Sequence, residues 1–168
     1  MLFSGILWGI VEDKRMFRGL TSLNMDVKGR VIVPAQYRHA ITKEANGQLV
    51  ITIDTEDRCL LLYPLPQWRI IEERLSDLPT FQPSARRIQR LLIGHATELE
   101  LDGQSRILLP PLLREYAGLD KTIMLVGQGK RFEIWGESQW QMHRDAWLAE
   151  GIGDSGTGIP PELTSLSL

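Results

Sequence analysis

The chain repeats itself, and that limits the folds open to it. Asp26, Arg30, Pro34 and Arg38 recur in the same order and spacing as Asp102, Arg106, Pro110 and Arg114. The run "VIVP" after Arg30 meets "ILLP" after Arg106. A second block, "ITIDTEDRCLLLYPLPQW" from Ile51, meets "IMLVGQGKRFEIWGESQW" from Ile123, with the Gln-Trp pairs coinciding. Two matched blocks in one order establish an internal duplication. The offset shortens between them, so the first copy carries an insertion around "TKEANGQ". Neither copy holds enough apolar surface for a stable core of its own.

Each copy reads alike. A strand (about Thr21–Met25, then Glu98–Leu101) leads into a Gly-containing turn. A short aliphatic strand follows, "VIV" or "ILL". Proline then opens a short helix, "PAQYRHAI" or "PLLREYAG", where its missing N–H costs nothing. Gly118 reads as the stop of the second of these. Two further strands are joined by the short turns "TEDR" and "QGK", which suit hairpins. An amphipathic helix closes each copy, "PQWRIIEERLSDL" or "ESQWQMHRDAWLAE". Between the copies, "PSARRIQRLLIGH" reads as a linker helix with Ile88, Leu91 and Leu92 as its apolar stripe. The expected fold class is α+β, mainly β. Its two tandem repeats would intertwine as one small pseudo-two-fold β-barrel with short flanking helices, since closure hides sheet edges.

The ends read differently. The opening "MLFSGILWGIV" is too short to span a bilayer and lacks a basic segment before it. Residues 1–15 match nothing later in the chain, and Met16 opens the amphipathic pattern. They are expected to be a non-native or disordered extension. The stretch 151–168, rich in Gly, Ser and Pro, reads as a flexible tail.

Charge narrows the function. The net charge is -2 and the pI about 5.9, so the whole molecule is no basic nucleic-acid glove. The distribution is uneven, however. Between Lys14 and Arg38, six cations (Lys14, Arg15, Arg18, Lys28, Arg30, Arg38) face one acid, Asp26. The linker adds Arg86, Arg87 and Arg90 with no acid between Pro83 and His95. Such local patches, not total charge, drive phosphate binding.

Together, "MFRG", the first-copy pattern N-x-D-x-K-G-R-x-x-V-P, the second-copy D-G-x-x-R-x-x-x-P, "LLLYP" and "GHA" resemble the MraZ family from Met16 to Leu168. That family is similar in fold to AbrB-type regulators, whose barrel needs two chains where this one needs one. The organisation then expected is a first AbrB-like repeat at 16–80, the linker helix at 81–96 and a second repeat at 97–150. The resemblance implies a DNA-binding transcriptional regulator that assembles into a homo-oligomeric ring. It implies short direct repeats as targets, in the promoter of the division and cell-wall gene cluster that includes its own gene. The single cysteine points to a reducing, cytoplasmic compartment; the protein is expected to be nucleoid-associated, with no cofactor, membrane or small-molecule substrate.

The candidate DNA-binding residues are Arg30, Lys28, Arg18 and Gly29. The guanidinium fork of Arg30 suits a guanine edge, and Lys28 suits phosphate. Gly29 permits close backbone approach. Asp26, Asp102 and Arg106 are candidates for bracing the turns or for a secondary contact, because an acid aimed at DNA would repel it. The pairing could run within each turn or across the pseudo-dyad. Lys28-Gly29 becomes Gln104-Ser105 in the second copy, so the two turns are not equivalent as cation sites. The alternative reading is an antitoxin-like or scaffold interaction module, in which Trp68, Trp135, Trp140 and Trp147 would anchor a partner.

Enzyme chemistry finds little purchase. Duplicated aspartates resemble an aspartic-protease pair, but here each has an arginine four residues on, which would hold it ionised. His39, His95 and His143 are dispersed and form no metal spacing. Cys59, the single cysteine, cannot build a disulfide framework and reads as buried and inert within "CLLLY".

Overall fold

The structure, a computed structural model, describes residues 16–151 and 160–167. The extension expected at residues 1–15, and 152–159 of the expected tail, lie outside the described residues. The chain divides after Glu137 into two compact units.

The first unit holds every strand among the described residues. In chain order they are β1 (Leu20–Asn24), β2 (Arg30–Ile32), β3 (Gln48–Ile53), β4 (Leu60–Pro64), β5 (Thr97–Glu100), β6 (Arg106–Leu108), β7 (Thr122–Gly127) and β8 (Phe132–Gly136). Its helices are α1 (Ala35–Ala45), α2 (Leu65–Ser76), α3 (Pro83–Leu92) and α4 (Pro111–Tyr116). Six strands form one antiparallel sheet in the order β1-β7-β8-β4-β3-β5, and β2 and β6 form a separate two-stranded ribbon.

The copies are interleaved. Strand β1 of the first copy pairs with β7 of the second, and β5 of the second pairs with β3 of the first. Two pairings sit on the pseudo-dyad itself. Val31 faces Ile107 in the ribbon, and Leu61 faces Glu133 between β4 and β8. Each partner is the other's repeat equivalent. The duplication therefore folds as one body.

The barrel expected from the sequence does not close by hydrogen bonding. Strands β1 and β5 are edges of the sheet, and the ribbon stands apart as a second sheet. Strands of three residues, as β2 and β6 are, exchange too few ladder bonds to bridge those edges.

One core fills the space between sheet and ribbon. Val31, Ile41, Leu49, Ile51, Leu62, Ile107, Leu113, Ile123, Phe132 and Ile134 from both copies pack together. Burying each such side chain contributes about 1.5–3 kcal/mol. Residues of the ribbon alternate in and out, as the pleat requires. Val31 and Ile107 are buried while Ile32 and Leu108 are each 53% exposed. A second cluster lies under α2 and α3, where Val50, Leu61, Tyr63, Trp68 and Leu75 meet Ile88 and Leu92.

Local chemistry sets the helix ends. Pro34 and Pro110 are N-caps in extended conformation, just ahead of α1 and α4. Gly118 has φ +60°, and Leu119 N–H returns to the Arg114 carbonyl (3.0 Å), so α4 ends where the glycine predicts.

The second unit consists of most of α5 (Glu137–Glu150) and a four-residue helix, α6 (Pro161–Thr164), within the expected tail. Trp140 and Trp147 of α5 meet edge to face at 6.0 Å. No helix among the described residues is long and apolar enough to cross a membrane.

Candidate nucleic-acid interface

The two turns share one frame. In the first, the Gly29 N–H donates to the Asp26 carbonyl (3.0 Å), closing a β-turn. The Asp26 side chain then holds the next four residues. Its Oδ1 accepts the Lys28 N–H (3.0 Å) and the Arg30 N–H (2.8 Å). Its Oδ2 accepts the Arg30 Nε–H at 2.7 Å. The second turn repeats each bond. Asp102 Oδ1 accepts from Gln104 N–H (2.8 Å) and Arg106 N–H (2.9 Å), and Oδ2 from Arg106 Nε–H (2.8 Å). An aspartate bonding the backbone two and four residues on is local chemistry that fixes a turn. Each aspartate pairs with the arginine of its own turn; among the described residues no such bond crosses the dyad. Backbone N–H donors, first from Arg30 and from Arg106 respectively, hold both carboxyls below the usual carboxylate range.

The ribbon locks the turns together. Leu109 N–H donates to the Gly29 carbonyl and Val33 N–H to the Ser105 carbonyl, both at 2.9 Å. Each turn is thus tied to the other copy.

The structure brings Asp26, Lys28, Gly29 and Arg30 into one turn, and Asp102 and Arg106 into the other. Lys28 and Val27 are exposed, Val27 fully, at 101%. Arg18 stands apart, just ahead of β1; its side chain is exposed and its carbonyl accepts the Tyr37 hydroxyl. Neither Arg18 nor Lys28 makes an ion pair among the described residues. Gly29 is buried, with φ +90°. The close approach that a glycine permits is made here by Arg114, whose guanidinium lies against it. Beside this turn lies an open cleft of about 710 Å³, lined by Asn24, Met25, Asp26, Val27, Arg114, Leu119, Asp120 and Lys121.

The remaining candidates fall elsewhere. Arg86, Arg87 and Arg90 form an exposed face of α3, without an ion pair among the described residues. Trp68 and Trp135 are core residues, 3% and 1% exposed. Trp147 is 43% exposed on α5. One cluster has no signal in the linear pattern: donor atoms of Asp54, Cys59 and Glu133 lie within 4.8 Å of one another. Burial and the neighbouring Glu133 and Asp54 push the Cys59 thiol up, so it stays protonated and faces Asp54 Oδ2 at 3.8 Å.

Two copies of one turn-and-ribbon unit, exchanging strands about a dyad, define a duplicated and interleaved α+β protein. The comparisons assign it further. A family model described as "MraZ protein, putative antitoxin-like" matches residues 16–91 and again 92–149, one match per copy. The chain is 61% identical to the transcriptional regulator MraZ of Coxiella burnetii over 153 residues, covering 91% of this chain and all of that protein. It is 52% identical to the protein of the same name from Halorhodospira halophila, and 50% to that of Legionella pneumophila, with the same coverage of each. The chain belongs to the MraZ family.

Proposed function

We propose that this protein is a sequence-specific DNA-binding transcriptional regulator. It acts on the promoter of the division and cell-wall gene cluster, its own gene included, by engaging short direct repeats as a homo-oligomeric ring. The observation that carries this reading is the contrast of the two turns. Both have the same Asp–Arg frame, yet only the first adds an exposed cation, Lys28, that makes no ion pair among the described residues. The relatives' shared name, transcriptional regulator, supports the class.

Within the frame, Asp26 engages the Arg30 side chain only at its Nε–H. The terminal nitrogens of Arg30 stay available, on a fork whose orientation is already set. A fork held that way suits a guanine edge, while Lys28 and Arg18 suit backbone phosphate. Three cations on one subunit bind weakly. A ring that presents the turn repeatedly to repeated sites raises affinity through effective concentration. Ile32 and Leu108, repeat equivalents half exposed on the outer ribbon face, offer apolar surface for assembly.

The test is retention of the protein's own upstream DNA at several salt concentrations, with native mass measured in parallel. The expected result is a shift that weakens steeply as salt rises. Arg30→Ala removes the shift and leaves elution volume unchanged, while Arg106→Ala retains it. No shift at low salt sinks the DNA reading and favours an interaction module, for which Met142, Trp147 and Leu148 of α5 are exposed apolar anchors.

A further inference from the structure

The repeat equivalents Arg38 and Arg114 do different things. Arg38 Nε–H donates to the Val33 carbonyl at 2.7 Å. Arg114, at the same place in the second copy, makes no such bond. Its Nε is buried and has no hydrogen-bond partner among the described residues. Its guanidinium lies instead against Gly29, in the turn of the opposite copy. A Cβ built on Gly29 would sit 2.6 Å from Arg114 Cζ and 2.8 Å from both Nε and Nη1. The slot exists because residue 29 has no side chain. The second turn has no such slot, because Ser105 carries a Cβ there, at φ 60°. The Gly29/Ser105 difference and the Arg114/Arg38 difference are therefore sterically linked: an arginine of one copy can lie on the opposite turn only where that turn has a glycine.

A buried Nε–H with no acceptor is unusual, since such groups nearly always find partners; held in against Gly29, it leaves the terminal nitrogens of this half-buried side chain to meet a ligand. The side chain lines the cleft beside the first turn. The other charged residues that line this cleft are Asp26, which Arg30 already engages, and Asp120 and Lys121 at the surface.

We propose that Arg114 is a phosphate-binding residue of the DNA-facing first turn, supplied by the second copy and seated on Gly29. The first turn then presents Lys28, Arg30 and Arg114 together, and one DNA contact is built from both repeats. This rests on the DNA-binding reading above. It also explains Gly29, which seats the arginine that meets DNA. The second copy gains a part at the interface without its own turn, where Gln104 replaces the lysine.

The experiment measures equilibrium binding of the full chain to its upstream DNA and to a scrambled duplex, across a salt series. Arg114→Gln keeps most of the aliphatic stem and removes the charge. The expected result is binding about tenfold weaker per engaged turn on both duplexes, with the salt slope reduced by about 0.9 per turn. Arg114→Lys restores the slope. Arg38→Gln, whose arginine is tethered through Nε–H to the Val33 carbonyl rather than seated on a turn, leaves the slope where it was. Elution volume and thermal midpoint are followed for each variant. An unchanged slope in Arg114→Gln overturns the proposal, while loss of binding in Arg30→Ala leaves the DNA reading standing. A changed elution volume in Arg114→Gln that Arg114→Lys does not repair makes the residue a structural brace, and also overturns it. If the unsubstituted protein fails to bind either duplex, both readings fall.

Discussion

Place the two turns side by side. Asp26–Arg30 and Asp102–Arg106 make the same hydrogen bonds to within about 0.2 Å, and both are tied into the ribbon at 2.9 Å. What differs is what each turn carries. The first has Lys28 at its tip and Gly29 beneath a borrowed arginine; the second has Gln104 and a serine at positive φ. A duplicated frame has kept its geometry while its surface diverged. The frame is set by short-range bonds that either copy can make alone, whereas a surface is free to change without unfolding the turn.

The largest effect should fall on what the copies share. Ile51 and Ile123 are repeat equivalents, both fully buried in the common core. Changing either to alanine is expected to cost about 2–5 kcal/mol in urea unfolding, with one cooperative transition in each variant. Two separated transitions would show that the copies fold independently, and would end the view of one interleaved body.

A smaller effect separates the turns. Gly29→Ala meets both a left-handed backbone and the Arg114 guanidinium, and should cost more than about 1 kcal/mol. Ser105→Gly relieves a positive φ instead, and should raise stability by up to about 1 kcal/mol. Thermal midpoints of the two variants moving the same way would erase the distinction between the turns.

The mildest effect is acid response, where the turns should agree. Both aspartates titrate below their ordinary value of 3.8, chiefly because backbone N–H groups bond the charged form. Their stabilising contribution is present above that value and is lost as pH falls through the lower folded-state value. Asp26→Asn and Asp102→Asn should each flatten the fall of thermal midpoint below pH 3.8, the ordinary aspartate value, and by similar amounts. A response confined to one of them would mean that the two frames are not alike in solution.

Much of this was legible in the sequence, for an identifiable reason. The Gly118 stop, the prolines ahead of α1 and α4, and the strand order within each copy all rest on interactions spanning a few residues. Closure of the barrel was not legible. It depends on whether the edges β1 and β5 meet, and no local pattern encodes that distance. The Asp54, Cys59 and Glu133 cluster was hidden for the same reason: β4 and β8 become neighbours only when the copies interleave.

For the candidate interface the division is just as clear. That each aspartate pairs within its own turn was settled by the folded chain. The duplication, the recurrence of Asp and Arg in both turns, and the lysine that only the first turn bears are already written in the order of residues, because they follow from residue identity. Only the tertiary structure shows that Arg114 lies over Gly29, while Arg38, its equivalent, bonds the Val33 carbonyl of its own copy. Residues 29 and 114 are far apart along the chain, and only the packing of one copy against the other brings a guanidinium onto a glycine.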